Sequence, residues 1–150
     1  MKTLRKILSP LFDFIFAIKV KYNLLNKDEL INLKFSILDD DYFFCELLQN
    51  TLIQAGASED NVSTFTDEFD FLKNIDETIN IVFIDHNLKS SEGTYILETL
   101  KSKNLNPKII YMSRSLRKVV KVTESYNNIG YVSKNNLSIK DLKRSIFIDN

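Results

Sequence analysis

The chain has 150 residues, of which 20 are Lys or Arg, 20 are Asp or Glu and one is His, so its formal net charge at pH 7 is zero. Hydrophobic residues make up 44% and charged residues 27%, as in a soluble globular protein of one domain rather than a disordered chain. A general nucleic-acid-binding protein is usually strongly basic, and this chain is not. The single Cys45 excludes an intramolecular disulfide, and together with the single His86 it excludes zinc sites built from several Cys or His residues.

The zero balance hides two oppositely charged parts. Residues 1–34 have seven basic and three acidic side chains, a net charge of +4, so the other 116 residues have a net charge of −4. The stretch 23–32 contains three Asn residues and one Lys and is typical of a connector. These features predict an N-terminal extension and linker over residues 1–33 and a separate domain over residues 34–150.

The apolar run of the extension, residues 7–20, is interrupted by Ser9–Pro10, Asp13 and Lys19. It is therefore too short and too polar to span a membrane, and no small-residue cleavage site of a secretory signal follows it. Ser9 and Pro10 are typical of a helix start, and apolar side chains recur at spacings of three and four. We expect an amphipathic helix that packs on the domain, pairs with a second copy or lies on a membrane surface. The expected location is the cytoplasm, with peripheral membrane contact as an alternative role of this helix.

From residue 34 onwards, five apolar stretches alternate with five helical patterns. The strands are expected at residues 34–38, 61–65, 80–84, 108–112 and 129–132. The helices are expected at residues 42–55, 67–74 after a Thr66 cap, 92–103, 116–126 and 137–147. This alternation predicts an α/β fold, a doubly wound five-stranded parallel sheet with helices on both faces.

Polar side chains follow four of these strands directly. They are Asp39, Asp40 and Asp41 after the first strand, Asp85 after the third, Ser113 after the fourth and Lys134 after the fifth. A strand order of 2-1-3-4-5 would bring them into one cleft at the carboxyl ends of the strands, where such sheets bind ligands.

The chemistry of this cleft indicates a magnesium and phosphoryl site. Clustered carboxylates repel each other unless a hard divalent cation is present, and Mg²⁺ prefers oxygen ligands. Lys134 and Ser113 could stabilise charge on phosphoryl oxygens, and an Asp carboxylate is a competent nucleophile for an acyl phosphate.

Four motifs place these residues in order: FSILDDD (35–41), IVFIDHNLKSSEG (81–93), PKIIYMSRS (107–115) and GYVSKN (130–135). With them, residues 34–148 resemble the receiver domain of two-component response regulators. The resemblance implies a flavodoxin-like sheet of order 2-1-3-4-5, with Asp85 as phosphoacceptor, Gly93 as the glycine after it, and Ser113 and Lys134 as phosphoryl-contacting residues. It also implies that Asp39, Asp40, Asp85 and the main-chain carbonyl of Asn87 hold Mg²⁺, and that Ser113 and Tyr131 form the switch.

Three positions depart from the family pattern. Lys89 and Asn135 stand where the family usually has Pro, and Arg114 stands where a small residue normally follows the Thr or Ser. These changes affect the loops around the cleft, so we expect them to alter the kinetics and the output surface more than the chemistry.

We expect a signalling switch that takes its phosphoryl group from a histidine kinase or histidine phosphotransfer protein and then contacts a downstream protein. Its only expected catalysis is the phosphorylation and dephosphorylation of its own Asp85. The chain ends after the fifth helical pattern, so no output domain and no direct DNA binding are expected. Two alternatives are a phosphorylation-independent adaptor that acts through the N-terminal helix, and an Asp-nucleophile phosphatase. The phosphatase is disfavoured because Asn87 stands where such an enzyme commonly has a second carboxylate.

The remaining candidates have simpler interpretations. His86 is expected to be a loop side chain that faces solvent, and Cys45 a small buried residue of the first helix. A basic set in the fourth helical pattern is either a docking face or a solvated face: Arg114, Arg117, Lys118 and Lys121.

Overall fold

The computed structural model describes residues 29–89, 93–115, 117 and 129–148. The expected N-terminal amphipathic helix, the expected helix at 116–126 apart from Arg117, and the side chains of Lys118 and Lys121 lie outside these residues. Among the described residues, no helix combines the length and apolar character needed to cross a membrane.

Five strands and four helices follow one another in the described parts of the chain. The strands are β1 (Phe35–Leu38), β2 (Val62–Phe65), β3 (Ile81–Asp85), β4 (Lys108–Ser113) and β5 (Ile129–Ser133). The helices are α1 (Tyr42–Ala55), α2 (Glu68–Asn74), α3 (Gly93–Ser102) and α4 (Ile139–Phe147). A short 3₁₀ helix (Glu59–Asn61) leads into β2.

The strands form one parallel sheet in the order β2-β1-β3-β4-β5, which confirms the fold expected from the sequence. All residues of β1 and β3 are buried, as expected for central strands that are covered on both faces. The register pairs Leu38 with Ile84, and Asp85 with Met112. The strands therefore end close together, and the residues that follow them lie at one edge of the sheet.

Alternate residues of each strand point to two separate cores. Phe35, Ile37 and Phe83 pack with apolar side chains of α1 and α4 on one face of the sheet. Leu38 and Ile84 belong to the other core, which includes buried residues of α2 and α3, namely Phe71, Ile96, Leu97 and Leu100. The period of two along each strand assigns its side chains to the two faces.

The helix ends follow local side-chain chemistry, with three differences from the expected boundaries. Asp67, not Thr66, caps α2, because its side chain accepts a hydrogen bond from Asp70 N at 2.9 Å. Ser138 caps α4 in the same way, so Leu137 lies outside this helix. α3 ends at Ser102, one residue earlier than expected. The first helix has the expected bounds and ends at Gly56, whose φ of 117° is a left-handed conformation that favours glycine.

Candidate functional site

The carboxyl ends of β1, β3, β4 and β5 surround a cleft of about 230 Å³. Its lining residues are Asp40, Asp41, Asp85, Asn87, Arg114 and Lys134. Asp39 lies beneath the cleft and is fully buried, and Ser113 at the end of β4 is 2% exposed. The strand order thus brings together the polar residues that the sequence placed after four different strands.

Three carboxylates form the acidic part of this site. Asp39, Asp40 and Asp85 each offer an oxygen atom, and these atoms all lie within 4.8 Å of one another. Burial raises the pKa of Asp39, and the nearby Asp85 carboxylate raises it further, whereas Lys134 and the Asp41 N–H oppose the rise. A hard divalent cation would offset this repulsion, and an all-oxygen donor set suits Mg²⁺. The residues therefore fit the metal that the sequence implied.

Lys134 provides the positive charge that contacts these carboxylates. Its Nζ atom lies 2.7 Å from Asp39 Oδ2 and 3.3 Å from Asp85 Oδ1. It also lies 4.6 Å from the ring centroid of Phe44 on α1, within cation–π range. Lys134 is thus a fixed cation shared by two buried carboxylates.

Asp39 is held in place by the segments around it. Its N–H donates to Phe65 O at 3.1 Å, and its Oδ1 atom accepts a hydrogen bond from Asp41 N at 3.0 Å. The Cys45 thiol donates to Asp39 O at 3.3 Å. Burial, followed by the Asp39 charge, raises the pKa of this thiol to about 12. Cys45 is therefore the small buried residue that the sequence predicted.

Asp41 begins α1 at the rim of the cleft. Its Oδ1 atom accepts hydrogen bonds from Phe43 N at 3.1 Å and from Phe44 N at 3.2 Å, so it serves as the N-cap. Asp41 therefore has a local structural role, and the group of possible metal ligands consists of the other three carboxylates.

Ser113 faces its own turn. Its Oγ atom accepts a hydrogen bond from Ser115 N at 3.0 Å, and its carbonyl accepts one from Lys134 N at 3.0 Å. The hydroxyl oxygen is thus engaged by the N–H of its own turn in this structure. Tyr131, the other expected switch residue, is half-buried on β5 and packs against the core that contains Tyr111.

Gly93 fits tightly beneath the loop that follows Asp85. Its N–H donates to His86 O at 3.2 Å, and a Cβ atom at this position would lie 2.7 Å from Asp85 O and collide with the Tyr111 side chain. Only glycine allows this approach, which explains in physical terms why the resemblance includes a glycine here.

His86 differs from its expected position. Its ring is half-buried, 5.9 Å from the Tyr111 ring between centroids, and its Nδ1 atom is buried with no hydrogen-bond partner among the described residues. The expectation of a solvent-facing side chain is therefore wrong for this nitrogen. His86 lies between the buried end of β3 and the exposed Asn87. The sequence does not specify how far the side chain of such a loop residue turns inwards.

Two features of the site were missed by sequence reasoning. Asn135 Nδ2 donates a hydrogen bond to Arg114 O at 3.0 Å, so two separate departures from the family pattern are in contact. In addition, three large apolar side chains at the start of α1 are exposed: Tyr42 (63%), Phe43 (79%) and Leu47 (52%). The spacing of Phe43 and Leu47, one helical turn apart, was the available signal for this surface.

The family assignment follows from the sequence match. The model of the response regulator receiver domain matches residues 35–146, which is well over half of the chain. The chain belongs to this family. It is thus the receiver domain of a two-component response regulator. Among curated proteins, no sequence matches the chain.

Solved receiver structures have the same fold. The receiver domain of Francisella response regulator 1452 is 20% identical with a TM-score of 0.61, over 77% of this chain and 93% of that chain. A response regulator from Colwellia psychrerythraea is 20% identical with a TM-score of 0.60, over 75% and 91%. The response regulator DrrB from Thermotoga maritima is 26% identical with a TM-score of 0.57, over 74% of this chain and 49% of that chain.

Proposed function

We propose that this receiver domain is a Mg²⁺-dependent phosphoacceptor switch whose acceptor is Asp85. The observation that supports this most strongly is the geometry of Asp39, Asp40 and Asp85, whose oxygen atoms lie within 4.8 Å of one another beside Lys134. A bound Mg²⁺ would neutralise carboxylate charge and polarise a phosphoryl oxygen. The donor proposed is the phosphohistidine of a histidine kinase or of a histidine phosphotransfer protein.

In the proposed transfer, an Asp85 carboxylate oxygen attacks phosphorus. The new O–P bond forms an acyl phosphate, and the N–P bond of the phosphohistidine breaks, with the electron pair leaving on the imidazole nitrogen. Lys134, 3.3 Å from Asp85 before the reaction, is placed to donate to a phosphoryl oxygen.

The proposed signal is a rearrangement of the turn after β4. The Ser113 hydroxyl would leave Ser115 N, 3.0 Å away, and turn towards the phosphoryl group. Tyr131 lies on the neighbouring strand, where Tyr111 pairs with Tyr131 in the sheet register. A shift of the turn would therefore be passed to the half-buried Tyr131 ring and to the surface around it.

The exposed start of α1 supports protein contacts next to the cleft. Phe43 and Leu47, one helical turn apart near the start of α1, present neighbouring exposed apolar side chains. Asp40 and Asp41 lie at the cleft itself. We propose that the phosphohistidine-bearing partner docks on this surface, since it would then hold its histidine close to Asp85.

We further propose that the chain acts on no separate substrate. Asn87 lines the cleft two residues after Asp85, where a second carboxylate would be needed for an Asp-nucleophile phosphatase. The catalysis proposed for the chain is therefore limited to the gain and loss of its own phosphoryl group.

The segment 1–28 is proposed to mediate contacts with a second copy of the chain, a partner or a membrane surface. Its support is the apolar stripe and a net charge of +4, opposite to the −4 of the rest of the chain. Leu30 is fully buried in the core beside α1, so a deletion should stop at residue 28 to preserve the domain. Unchanged solution mass, partner binding and vesicle partition after this deletion would contradict the proposal.

The phosphoacceptor proposal is tested by incubating the full chain with Mg²⁺ and acetyl phosphate and measuring its intact mass. We expect a gain of one phosphoryl group that disappears in Asp85→Asn and in EDTA. Asp60→Asn, a change of an exposed acid on the 3₁₀ helix, is the matched control and should retain the gain. Absence of any gain in the wild-type chain, or its persistence in Asp85→Asn, would overturn the proposal and favour the phosphorylation-independent adaptor.

A further inference from the structure

The turn after β4 carries Arg114 and is held by two side chains. Ser113 Oγ accepts a hydrogen bond from Ser115 N at 3.0 Å, which closes a short turn around Arg114. Asn135 Nδ2 donates to Arg114 O at 3.0 Å from the turn that follows β5. The main chain of Arg114 is therefore fixed, although its side chain is exposed at the cleft.

Asn135 continues the connection between β4 and β5 beyond the ends of the strands. The register pairs Ser113 with Ser133, and Lys134 N then donates to Ser113 O at 3.0 Å. The Asn135 amide adds the next link, and its own N–H donates to Ser133 Oγ at 3.3 Å. A proline at this position has neither an N–H nor a side-chain donor, so it could make neither bond.

Arg114 changes the charge of the cleft. Asp39, Asp40, Asp41 and Asp85 with Lys134 carry a formal charge of −3, and Arg114, which lines the same cleft, adds one positive charge. Phosphorylation of Asp85 replaces one negative charge by about two, so the need for cations rises at transfer. Lys134 is already shared with the Asp39 carboxylate, 2.7 Å away.

We propose that Arg114 is a second phosphoryl-binding cation of this receiver and that Asn135 is the residue that positions it. The inference rests on the proposed function and extends the same site. A guanidinium group can donate two parallel hydrogen bonds to phosphoryl oxygens, which a small side chain at this position cannot do. When Ser113 turns towards the phosphoryl group, the hydrogen bond from Ser115 N to Ser113 Oγ is lost. The hydrogen bond from Asn135 Nδ2 to Arg114 O remains and continues to hold the Arg114 main chain.

The charge of Arg114 has opposite effects on the affinity of the cleft for Mg²⁺ and on its affinity for a phosphoryl group. It repels a divalent cation and attracts an oxyanion, whereas a purely steric role would affect both through bulk alone. Arg114→Met retains most of the length without the charge, Arg114→Lys retains the charge, and Arg114→Ala removes both. The three variants therefore separate charge from bulk.

The test uses calorimetric titration of the full-length chain with Mg²⁺ alone, and then with beryllofluoride at saturating Mg²⁺. We expect Arg114→Met and Arg114→Ala to bind Mg²⁺ about two- to five-fold more tightly at low ionic strength. The same variants should bind beryllofluoride about five- to twenty-fold more weakly. Arg114→Lys should bind Mg²⁺ within about three-fold of the wild type, because it retains the charge. Its affinity for beryllofluoride should lie between those of the wild type and Arg114→Met, because Lys cannot donate the two parallel hydrogen bonds.

Beryllofluoride binding by Arg114→Met at wild-type affinity overturns the role of the charge, whatever Arg114→Ala does. Failure of the wild-type chain to bind beryllofluoride or to gain a phosphoryl group overturns the proposed function and the role of Arg114 in phosphoryl binding with it. Wild-type binding that is unchanged in Arg114→Met overturns only the inference. The two failures are thus distinguishable.

The positioning role of Asn135 is tested by a double-mutant cycle. Asn135→Ala should weaken beryllofluoride binding about three-fold or more in the wild-type background. It should have no further effect in the Arg114→Met background, because the side chain that it positions has lost its charge. If Asn135→Ala lowers the affinity for beryllofluoride equally in both backgrounds, Asn135 acts independently of Arg114, and its positioning role is overturned. Melting curves of all variants establish that the fold is retained.

Discussion

The ammonium group of Lys134 lies 2.7 Å from the buried Asp39 carboxylate, directly beneath the cleft. Asp39 is fully buried, and Lys134 reaches it from the turn after β5 while also contacting Asp85. The lysine therefore partly compensates two carboxylates before any metal or phosphoryl group is present. We infer that ligand binding weakens the existing ion pairs of Lys134, since a metal at Asp39 would compete with the ammonium group for this carboxylate and a phosphoryl group at Asp85 would compete for the ammonium group.

The first prediction concerns the buried negative charge of Asp39, which Lys134 compensates only in part. Burial and then Asp85 raise the pKa of Asp39 above its usual 3.8, so the folded state binds the proton more tightly than the unfolded state. The Asp39 contribution to stability is therefore most favourable below pH 3.8 and declines as the pH rises through the raised pKa of the folded protein. Asp39→Asn removes this penalty, and Asn can still accept the Asp41 N–H.

Chemical denaturation in EDTA measures this effect. At neutral pH we expect Asp39→Asn to increase the free energy of unfolding by about 1 kcal/mol, and this increase should vanish below pH 3.8. The stabilisation of the wild-type chain by added Mg²⁺ should be lost in the variant. Asp60→Asn is the matched control and should match the wild type. A variant that is less stable than the wild type at neutral pH contradicts this prediction.

The second prediction concerns the cation itself. Lys134→Met retains an apolar stem near Phe44 but leaves Asp39 and Asp85 without the ammonium group. We expect the free energy of unfolding in EDTA to fall by about 2 kcal/mol, because two buried carboxylates then lie together without a cation. Phosphorylation of Asp85 by acetyl phosphate should slow about 10- to 100-fold even at saturating Mg²⁺.

The matched control for Lys134 is Lys140→Met, which replaces an exposed lysine in the first turn of α4. It should leave both the stability and the phosphorylation rate near the wild-type values. If Lys134→Met is phosphorylated at the wild-type rate, Lys134 has no role in transfer and its ion pairs are structural.

These residues also show how far the sequence could be read. The apolar runs ending in Asp39, Asp85, Ser113 and Lys134 predicted a parallel sheet with polar residues after its strands, because parallel strands bury their side chains on both faces. The strand order that brings these residues to one edge was implied by the family resemblance. The sequence could not specify contacts between turns. Arg114 and Asn135 are 21 residues apart, and their hydrogen bond depends on loop geometry that no periodicity encodes. The sequence pattern also could not decide between two adjacent cap residues. Thr66 and Asp67 are both competent N-caps, and only Asp67 caps α2.

The third prediction concerns the close packing of Gly93. In Gly93→Ala, the added methyl group would lie 2.7 Å from Asp85 O and collide with the Tyr111 side chain, so the end of β3 that carries the acceptor must move. We expect a loss of about 1–3 kcal/mol of stability and a slower phosphorylation of Asp85 by acetyl phosphate. Gly130→Ala is a matched control, because its methyl group would lie 2.8 Å from Ser145 O on α4 and not against Asp85.

Gly130→Ala should lose a comparable amount of stability and still be phosphorylated at the wild-type rate at a temperature where it is folded. The comparison therefore separates general destabilisation from displacement of the acceptor. Equal phosphorylation rates for the two folded variants would show that the position of the Asp85 carbonyl does not depend on Gly93.

The fourth prediction concerns the exposed apolar surface of α1. Phe43 is 79% exposed and Leu47 is 52% exposed, so replacing both by Ser removes little buried contact and should change stability by less than about 0.5 kcal/mol. If the phosphohistidine-bearing partner docks here, Phe43→Ser/Leu47→Ser should slow transfer from a phosphorylated donor protein at least about ten-fold, because aromatic anchors dominate interface energies. Phosphorylation by acetyl phosphate, which needs no docking surface, should be unchanged.

Phe69→Ser, on α2 and 77% exposed, is the matched control and should affect neither reaction. Equal slowing with both phosphodonors would place the effect in the cleft, and no slowing with either would exclude this surface from docking.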